Sequence, residues 1–262
     1  MDESPLMDDL IVRKPVRRFF ESGEAKDLDD DVVAEFRLHM HLDGEPFLQA
    51  TLSPNLIEEF VVGFLRTRGL IEGIEDLSSL EICGDKAIAV RTPKFKGKLP
   101  KLSLLESTGT RNVRPEEVLF SKMPESDFRV SAGSIIRGVR MLSEMPLYTS
   151  TGGTHCAILF GPTGDLLASA EDIGRHNAVD KVIGSAMIKG TDFSRSWLAV
   201  SGRLPADMVF KPALLGIPLI ASVSAPTTSG VEMGASSGVS VVGFTRGGRM
   251  NCYTFPKRIV PG

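Results

Sequence analysis

Cysteine is scarce in this chain. Three occur in 262 residues, at Cys83, Cys156 and Cys252, and no two form a CxxC pair. An odd, widely spaced set excludes a secreted disulfide framework. The three cysteines and four histidines never fall at zinc-ligand spacing either, which argues against a structural metal. A reducing compartment, the cytoplasm, is therefore the expectation. Excess charge is also lacking: the formal net charge is -3, so no global field favours nucleic acid or a membrane surface. An anionic partner would have to be held by local arginines and backbone amides. No apolar run approaches the ~18 residues that span a bilayer. The opening "MDESPLMDDLIVRKPVRRFF" is acidic before it is basic, unlike the basic-then-apolar order of a signal peptide. There is no GxGxxG opening a helix and no GxxxxGK[ST], so the common nucleotide fingerprints are missing. Internal repeats and low-complexity tracts are absent too.

What is present reads as a soluble globular protein, with 42% hydrophobic and 24% charged residues. The length suits one large domain with a smaller one. From Val32 to Phe47, "VVAEFRLHMHLDGEPF" alternates apolar and polar residues around Asp43-Gly44, a hairpin signature. In "SPNLIEEFVVGFLRTRGLI", Ser53 is the expected N-cap and Pro54 the first helical residue. Leu56, Phe60, Val61, Phe64 and Leu65 recur at helical spacing, and Gly69 is the expected stop. "SLEICGDKAIAVRT" predicts a second hairpin turning at Gly84-Asp85. Pro93 to Pro124 reads as a linker carrying a loop and one short helix.

After Val130 helices and strands alternate. "SAGSIIRGVRMLSEM" predicts a helix, and "THCAILF" and "LLASA" predict strands paired across Gly161 to Gly164. "HNAVDKVIGSAMIKG" predicts a helix with Val179, Val182, Ile183, Ala186 and Met187 on one face. Strand "WLAVSG", helix "PADMVFKPALLG", strand "PLIASVSA", a helix from Pro226 to Gly238 and strand "VSVVGFTR" follow. This order predicts a largely parallel sheet covered on both faces. The domain division expected is 1–125 for a smaller α+β unit with the linker, and 126–262 for the α/β unit.

In such sheets ligands bind where strands end at their carboxyl edge. The strand exits carry Glu171 to Asn177, Ser201-Gly202-Arg203, Ser224 to Thr228, and Thr245-Arg246-Gly247-Gly248-Arg249. Small residues, hydroxyls and arginines together suit a phosphate, held by free amides and guanidinium forks. Each also has a plainer reading. Ser201-Gly202 and Ser224 to Thr227 could be caps and turns, "TRGGR" a β-turn with solvated arginines, and Glu171 to Asn177 an internal salt-bridge set. His176 sits at an expected helix N-terminus, where the helix dipole lowers its pKa and nearby acids raise it. His155, beside "TGG", could be a hydrogen-bonded structural histidine. Cys156 and Cys252 read as small strand residues. "THCA" has the histidine of a zinc-deaminase H-x-E but neither its glutamate nor a following PCxxC.

Taken together, "TGGTHCAIL", "EDIGRHNAVDKVIG", "VSGR", "SAPT" and "VGFTRGGRMNCY" resemble the FdhD/NarQ family of formate dehydrogenase accessory proteins, as does "FLQATLSPNLIEEFVVGFLRTRGLI". The resemblance implies a cytoplasmic sulfur carrier that takes persulfide sulfur from a cysteine desulfurase. That sulfur would pass to the molybdenum bis(molybdopterin guanine dinucleotide) cofactor destined for formate dehydrogenase. It implies a three-layer α/β/α, cytidine-deaminase-like C-terminal domain, and it places Phe244, Thr245, Arg246, Gly247, Gly248 and Arg249 in the cofactor site. The strand exits add Gly153, Thr154, His155, Asp172, Arg175, His176, Asn177, Ser201 and Arg203 as cofactor-binding candidates, with GDP as a minimal ligand. The exposed-looking apolar positions near "EFVVGFL" leave room for a homodimer.

This chain departs from the family pattern at one point. The family's sulfur-transferring CxxC corresponds to "LLESTGTRNVRP", Leu104 to Pro115, which has no cysteine. A hydroxyl cannot form the S–S bond that a thiolate accepts. Three expectations follow: cofactor binding without sulfur carriage, substitution by Cys156, or a diverged paralogue using a guanine nucleotide otherwise. An enzyme of deaminase-like fold and a guanine-nucleotide scaffold are the competing classes.

Overall fold

A computed structural model describes residues 7–95 and 127–261. The loop Leu104 to Pro115 and the expected division at residue 125 lie outside the described residues.

A short helix α1 (Met7–Leu10) leads into a two-stranded antiparallel ribbon, β1 (Ile11–Phe19) and β2 (Ala25–Val33). The sequence reading missed this ribbon because Pro15 and a dense run of charges mask the alternation. Directly opposed residues share a face, and Arg13–Asp31, Arg17–Asp27 and Arg18–Asp30 ion pairs tie the strands across it. The next strands are β3 (Phe36–Leu42) and β4 (Glu45–Leu52), joined through Asp43 at φ 53° and Gly44 at φ 90°. Those left-handed values are what a tight two-residue hairpin needs. After α2 (Ile57–Arg66), β5 (Leu77–Cys83) and β6 (Lys86–Arg91) complete a sheet of order β4-β3-β6-β5. Phe60, Val61, Phe64 and Leu65 pack from α2 onto that sheet. Helix α2 begins later than the capping signal suggests. Leu56 precedes it at φ 52°, no side chain caps it, and Ser53 is buried elsewhere.

The second unit opens with β7 (Val130–Ser131) and α3 (Ala132–Met141), capped by Ser131 accepting from the Ser134 amide. Then come α4 (Pro146–Thr151), β8 (His155–Phe160), β9 (Leu166–Asp172), α5 (Arg175–Ile188), β10 (Trp197–Val200), α6 (Ala206–Leu215) and β11 (Leu219–Ser222). The chain continues through α7 (Thr228–Ser237), β12 (Ser240–Arg246) and β13 (Arg249–Cys252) to β14 (Ile259–Val260), which pairs with β7. The six-stranded sheet has the order β13-β12-β11-β10-β8-β9. β10, β11 and β12 are parallel, whereas β8 and β13 run against their neighbours. The sheet is thus mixed rather than largely parallel, because two hairpins each contribute a reversed strand. Alternate sheet residues pack on opposite faces. Ala157, Leu159, Leu198 and Ile220 meet α5 and α6, and Ile158, Phe160, Trp197 and Leu219 meet α3.

Helix α5 is buried on its polar positions as well as its apolar ones: Asp180 and Lys181 are as inaccessible as Val179 and Val182. The reason is that α2 lies directly against α5. A Cβ on Gly63 would run into the Asp180 carbonyl, and one on Gly184 into the Glu59 carbonyl. Only hydrogen at both positions permits that approach.

Candidate functional site

Strand direction decides where functional groups gather. β8 is antiparallel to both β9 and β10, so β9, β10, β11 and β12 all end at one edge and β8 starts there. His155 is opposite Asp172 in the strand register. The exits of β9, β10 and β11 and the β12–β13 turn therefore line one rim, in the order of the sheet.

A cleft with two lobes opens at the β8–β9 end of that rim. One lobe, about 370 Å³, is lined by Leu142, Tyr148, Gly153, Thr154, Cys156, Ser201 and Val223 among others. The other, about 480 Å³, is lined by Glu35, Thr51, Gly174, Arg175 and His176. His155 and Ile173 belong to both. Gly174 precedes α5 and offers no side-chain cap, so the first turn of a fourteen-residue helix faces this lobe with its amide dipole. The buried Nε of Arg175 has no hydrogen-bond partner among the described residues. The Arg175 side chain lies over Gly202, where any Cβ would touch it.

The candidate residues divide by what they touch. His155 Nδ1 is 3.1 Å from Ser201 Oγ, which also accepts the Cys156 amide at 3.0 Å. Burial, then the charge of Arg175, pushes the His155 pKa below its ordinary value. His176 Nε2 lies 3.3 Å from Asp207 Oδ2, and burial pushes its pKa down despite that carboxylate. The expected contest at His176 is thus won by desolvation rather than by the acids. Thr154 faces inward, donating to Glu171 Oε1 at 3.3 Å. Gly153 follows the left-handed Gly152 (φ 63°) and abuts Val33 of the ribbon.

Asp172 and Asn177 line neither lobe. One Asp172 oxygen accepts the Gly174 amide and the Asn177 side chain. The other accepts the Ser53 amide and hydroxyl and lies 2.7 Å from Lys181 Nζ. Asn177 also donates to the Thr51 carbonyl, and Lys181 to the Ser53 carbonyl and Asn55. One helical turn on, Asp180 binds Arg68, Lys211 and Thr67 at 3.1, 2.7 and 2.6 Å. Sequence reasoning missed Ser53, Thr67, Arg68 and Lys211. Their only signal is a cation or hydroxyl inside an apolar run.

The hairpin stretch Phe244 to Arg249 occupies the far end of the rim and lines neither lobe. Gly247 and Gly248 turn at φ 61° and 74°, and Phe244 itself is left-handed at φ 53°. Arg246 sits over the Phe244 ring at 5.5 Å. The Thr245 hydroxyl is buried without a partner among the described residues. Arg203 is exposed on the rim between the two ends.

Cys156 is unsuited to nucleophilic work as it stands. It is 2% exposed, and its thiol donates to Glu171 Oε1 at 3.7 Å. Burial, then the Glu171 charge, pushes its pKa to about 12, so almost no thiolate forms near neutrality. Cys252 is half-buried and its thiol is pushed up by desolvation, whereas Cys83 is exposed at the end of β5. Among the described residues no three His, Cys, Asp or Glu side chains are grouped to hold a metal ion. None of their helices is long and apolar enough to cross a membrane.

The FdhD/NarQ family matches residues 33–260. The sulfur carrier protein FdhD of Methanothermobacter thermautotrophicus is 35% identical over 248 residues, covering 94% of this chain and 98% of the relative. That of Sulfurisphaera tokodaii is 35% identical over 255 residues, covering 94% and 99%. A crystal structure described as a formate dehydrogenase accessory protein from Desulfotalea psychrophila superposes with a TM-score of 0.81 at 27% identity. It covers 96% of this chain and 100% of that one. The mixed α/β fold and these matches agree: this chain belongs to the FdhD/NarQ family.

Proposed function

We propose that this protein is an accessory factor in formate dehydrogenase maturation, and that it binds the molybdenum bis(molybdopterin guanine dinucleotide) cofactor as its cargo through a guanine-nucleotide tail. The observation that carries the reading is the two-lobed cleft at the carboxyl edge, with Arg175 lining it and an uncapped helix start behind. A pyrophosphate carries oxygens on several sides, and such a site meets them with guanidinium and amide donors. The candidate groups fit that cargo. Arg175 lines one lobe, Ser201 and His155 line the other, and Arg203, Arg246 and Arg249 are exposed further along the rim. The cofactor is long, so one tail in the cleft leaves the rest free to run along the rim toward Phe244 to Arg249. Asp172 and Asn177 serve this site indirectly, by fixing the Gly174 turn.

Sulfur carriage does not run through Cys156 in this reading. Accepting persulfide sulfur needs a thiolate attack on the donor's S–S bond, with the donor thiolate leaving, and the Cys156 environment suppresses the thiolate. The chain is a cofactor-binding member whose sulfur-transfer chemistry differs from that of CxxC-bearing relatives.

Two measurements test this. Titration with GDP and with the molybdenum cofactor should show saturable binding that Arg249→Ala weakens for the cofactor. Undiminished cofactor affinity in that variant removes Phe244 to Arg249 from the site. Complementation of a strain lacking its own accessory protein should restore formate dehydrogenase activity. Binding of GDP without complementation would instead identify a nucleotide-responsive scaffold.

A further inference from the structure

Ser201 lines the first lobe and bonds His155, which belongs to both. Its Oγ accepts the Cys156 amide at 3.0 Å, while its own amide donates to the Cys156 carbonyl at 3.0 Å. The residue is therefore clamped between β8 and the exit of β10. An amide nitrogen can only donate, so one lone pair of the hydroxyl is committed. The hydroxyl has a single hydrogen, and His155 Nδ1 lies within its reach at 3.1 Å. If that hydrogen goes to Nδ1, the neutral imidazole must carry its own proton on Nε2. The tautomer of a histidine is set by the bond its other nitrogen makes.

We infer that Ser201 is a positioning residue that locks His155 as the Nε2–H tautomer, making the ring a neutral hydrogen-bond donor at the meeting point of the two lobes. His155 then recognises an acceptor atom on the bound ligand, such as a phosphate or carbonyl oxygen, without adding charge. The charged groups that face it fit that role. Arg175 from α5 supplies the positive charge, Asp172 pairs opposite on β9, and Glu35 and His176 line the adjoining lobe. Burial and the Arg175 charge both hold the ring neutral. A neutral donor beside a guanidinium avoids the mutual repulsion two cations would suffer in a partly buried cleft. As far as it concerns a ligand, this assignment rests on the nucleotide reading above; the tautomer does not.

The test is 15N NMR of the full chain with labelled histidine, using His155→Gln to assign the His155 ring among the four histidines. The wild-type ring should show a protonated Nε2 and an unprotonated Nδ1. Ser201→Ala should shift the ring toward Nδ1–H, and Ser201→Thr, which keeps the hydroxyl, should restore the wild-type pattern. GDP affinity should fall by about 2- to 10-fold in Ser201→Ala, the range for one oriented hydrogen bond, and recover in Ser201→Thr. An Nδ1–H tautomer in the wild type overturns the inference, as does a tautomer untouched by Ser201→Ala. If Ser201→Ala fails to fold, the wild-type spectrum alone decides. If the tautomers behave as stated but GDP binds none of the proteins, the lock stands and the nucleotide reading falls.

Discussion

The stretch Glu171 to Lys181 serves two regions that differ in every physical respect. One is the seam between α2 and α5, where Asp172, Asn177, Asp180 and Lys181 are almost inaccessible and each polar group has a partner. The other is the rim, where Arg175 is partly exposed and its buried Nε is unpaired. Helical periodicity causes the division. Residues at spacings of three and four, Asn177, Asp180, Lys181 and Gly184, turn toward α2, while Arg175 at the first turn projects past the sheet edge. A dense polar motif need not be a dense active site. Paired and buried groups hold the two units together, whereas Arg175 is partly exposed and lines the cleft.

The seam should be where substitution does most damage. Asp180→Ala leaves Arg68 and Lys211 buried without their shared carboxylate, and loss of one member of such a set costs about 3–5 kcal/mol. Urea unfolding should show that loss, and a change under about 1 kcal/mol would mean the seam is less dry than described. Gly63→Ala forces α2 off the Asp180 carbonyl. Overpacking of this kind costs about 1–3 kcal/mol, readable as a lower urea midpoint. The seam also has a pH signature. Lys211 is held at about 8, below its ordinary 10.5, mainly by burial. Between those values the unfolded chain keeps a proton that the folded chain has released, so stability rises with pH across that window. Lys211→Met should remove that rise, measured as the difference between the two proteins' unfolding curves from pH about 8 to about 10. The smallest effect is expected at Cys156. Cys156→Ala should leave unchanged any sulfur that mass spectrometry detects on the protein after incubation with a cysteine desulfurase and cysteine. Sulfur lost in that variant would restore Cys156 as an acceptor.

Much of this architecture was legible in the residues. The Asp43-Gly44 and Gly84-Asp85 turns, the helix–strand alternation after Val130 and the location of polar groups at strand exits all follow from local chemistry. The ribbon of β1 and β2 was not, because its mostly exposed strands lack the apolar alternation that marks a half-buried hairpin. Nor was the role of Ser53. Its neighbour Pro54 spells a helix start locally, and only the fold brings Asp172, 119 positions away, to its amide. The direction of β8 was illegible as well. Antiparallel pairing with β10 is a property of the sheet, and it is what sets His155 beside Ser201.

The division between seam and rim is tested most directly by Arg175→Ala, with GDP affinity and thermal unfolding measured on the same preparation. A rim arginine that grips phosphate should weaken GDP binding about tenfold or more, while the melting temperature stays within a few degrees of wild type. Full GDP affinity in Arg175→Ala, or a collapse of stability like that expected of Asp180→Ala, would contradict the account.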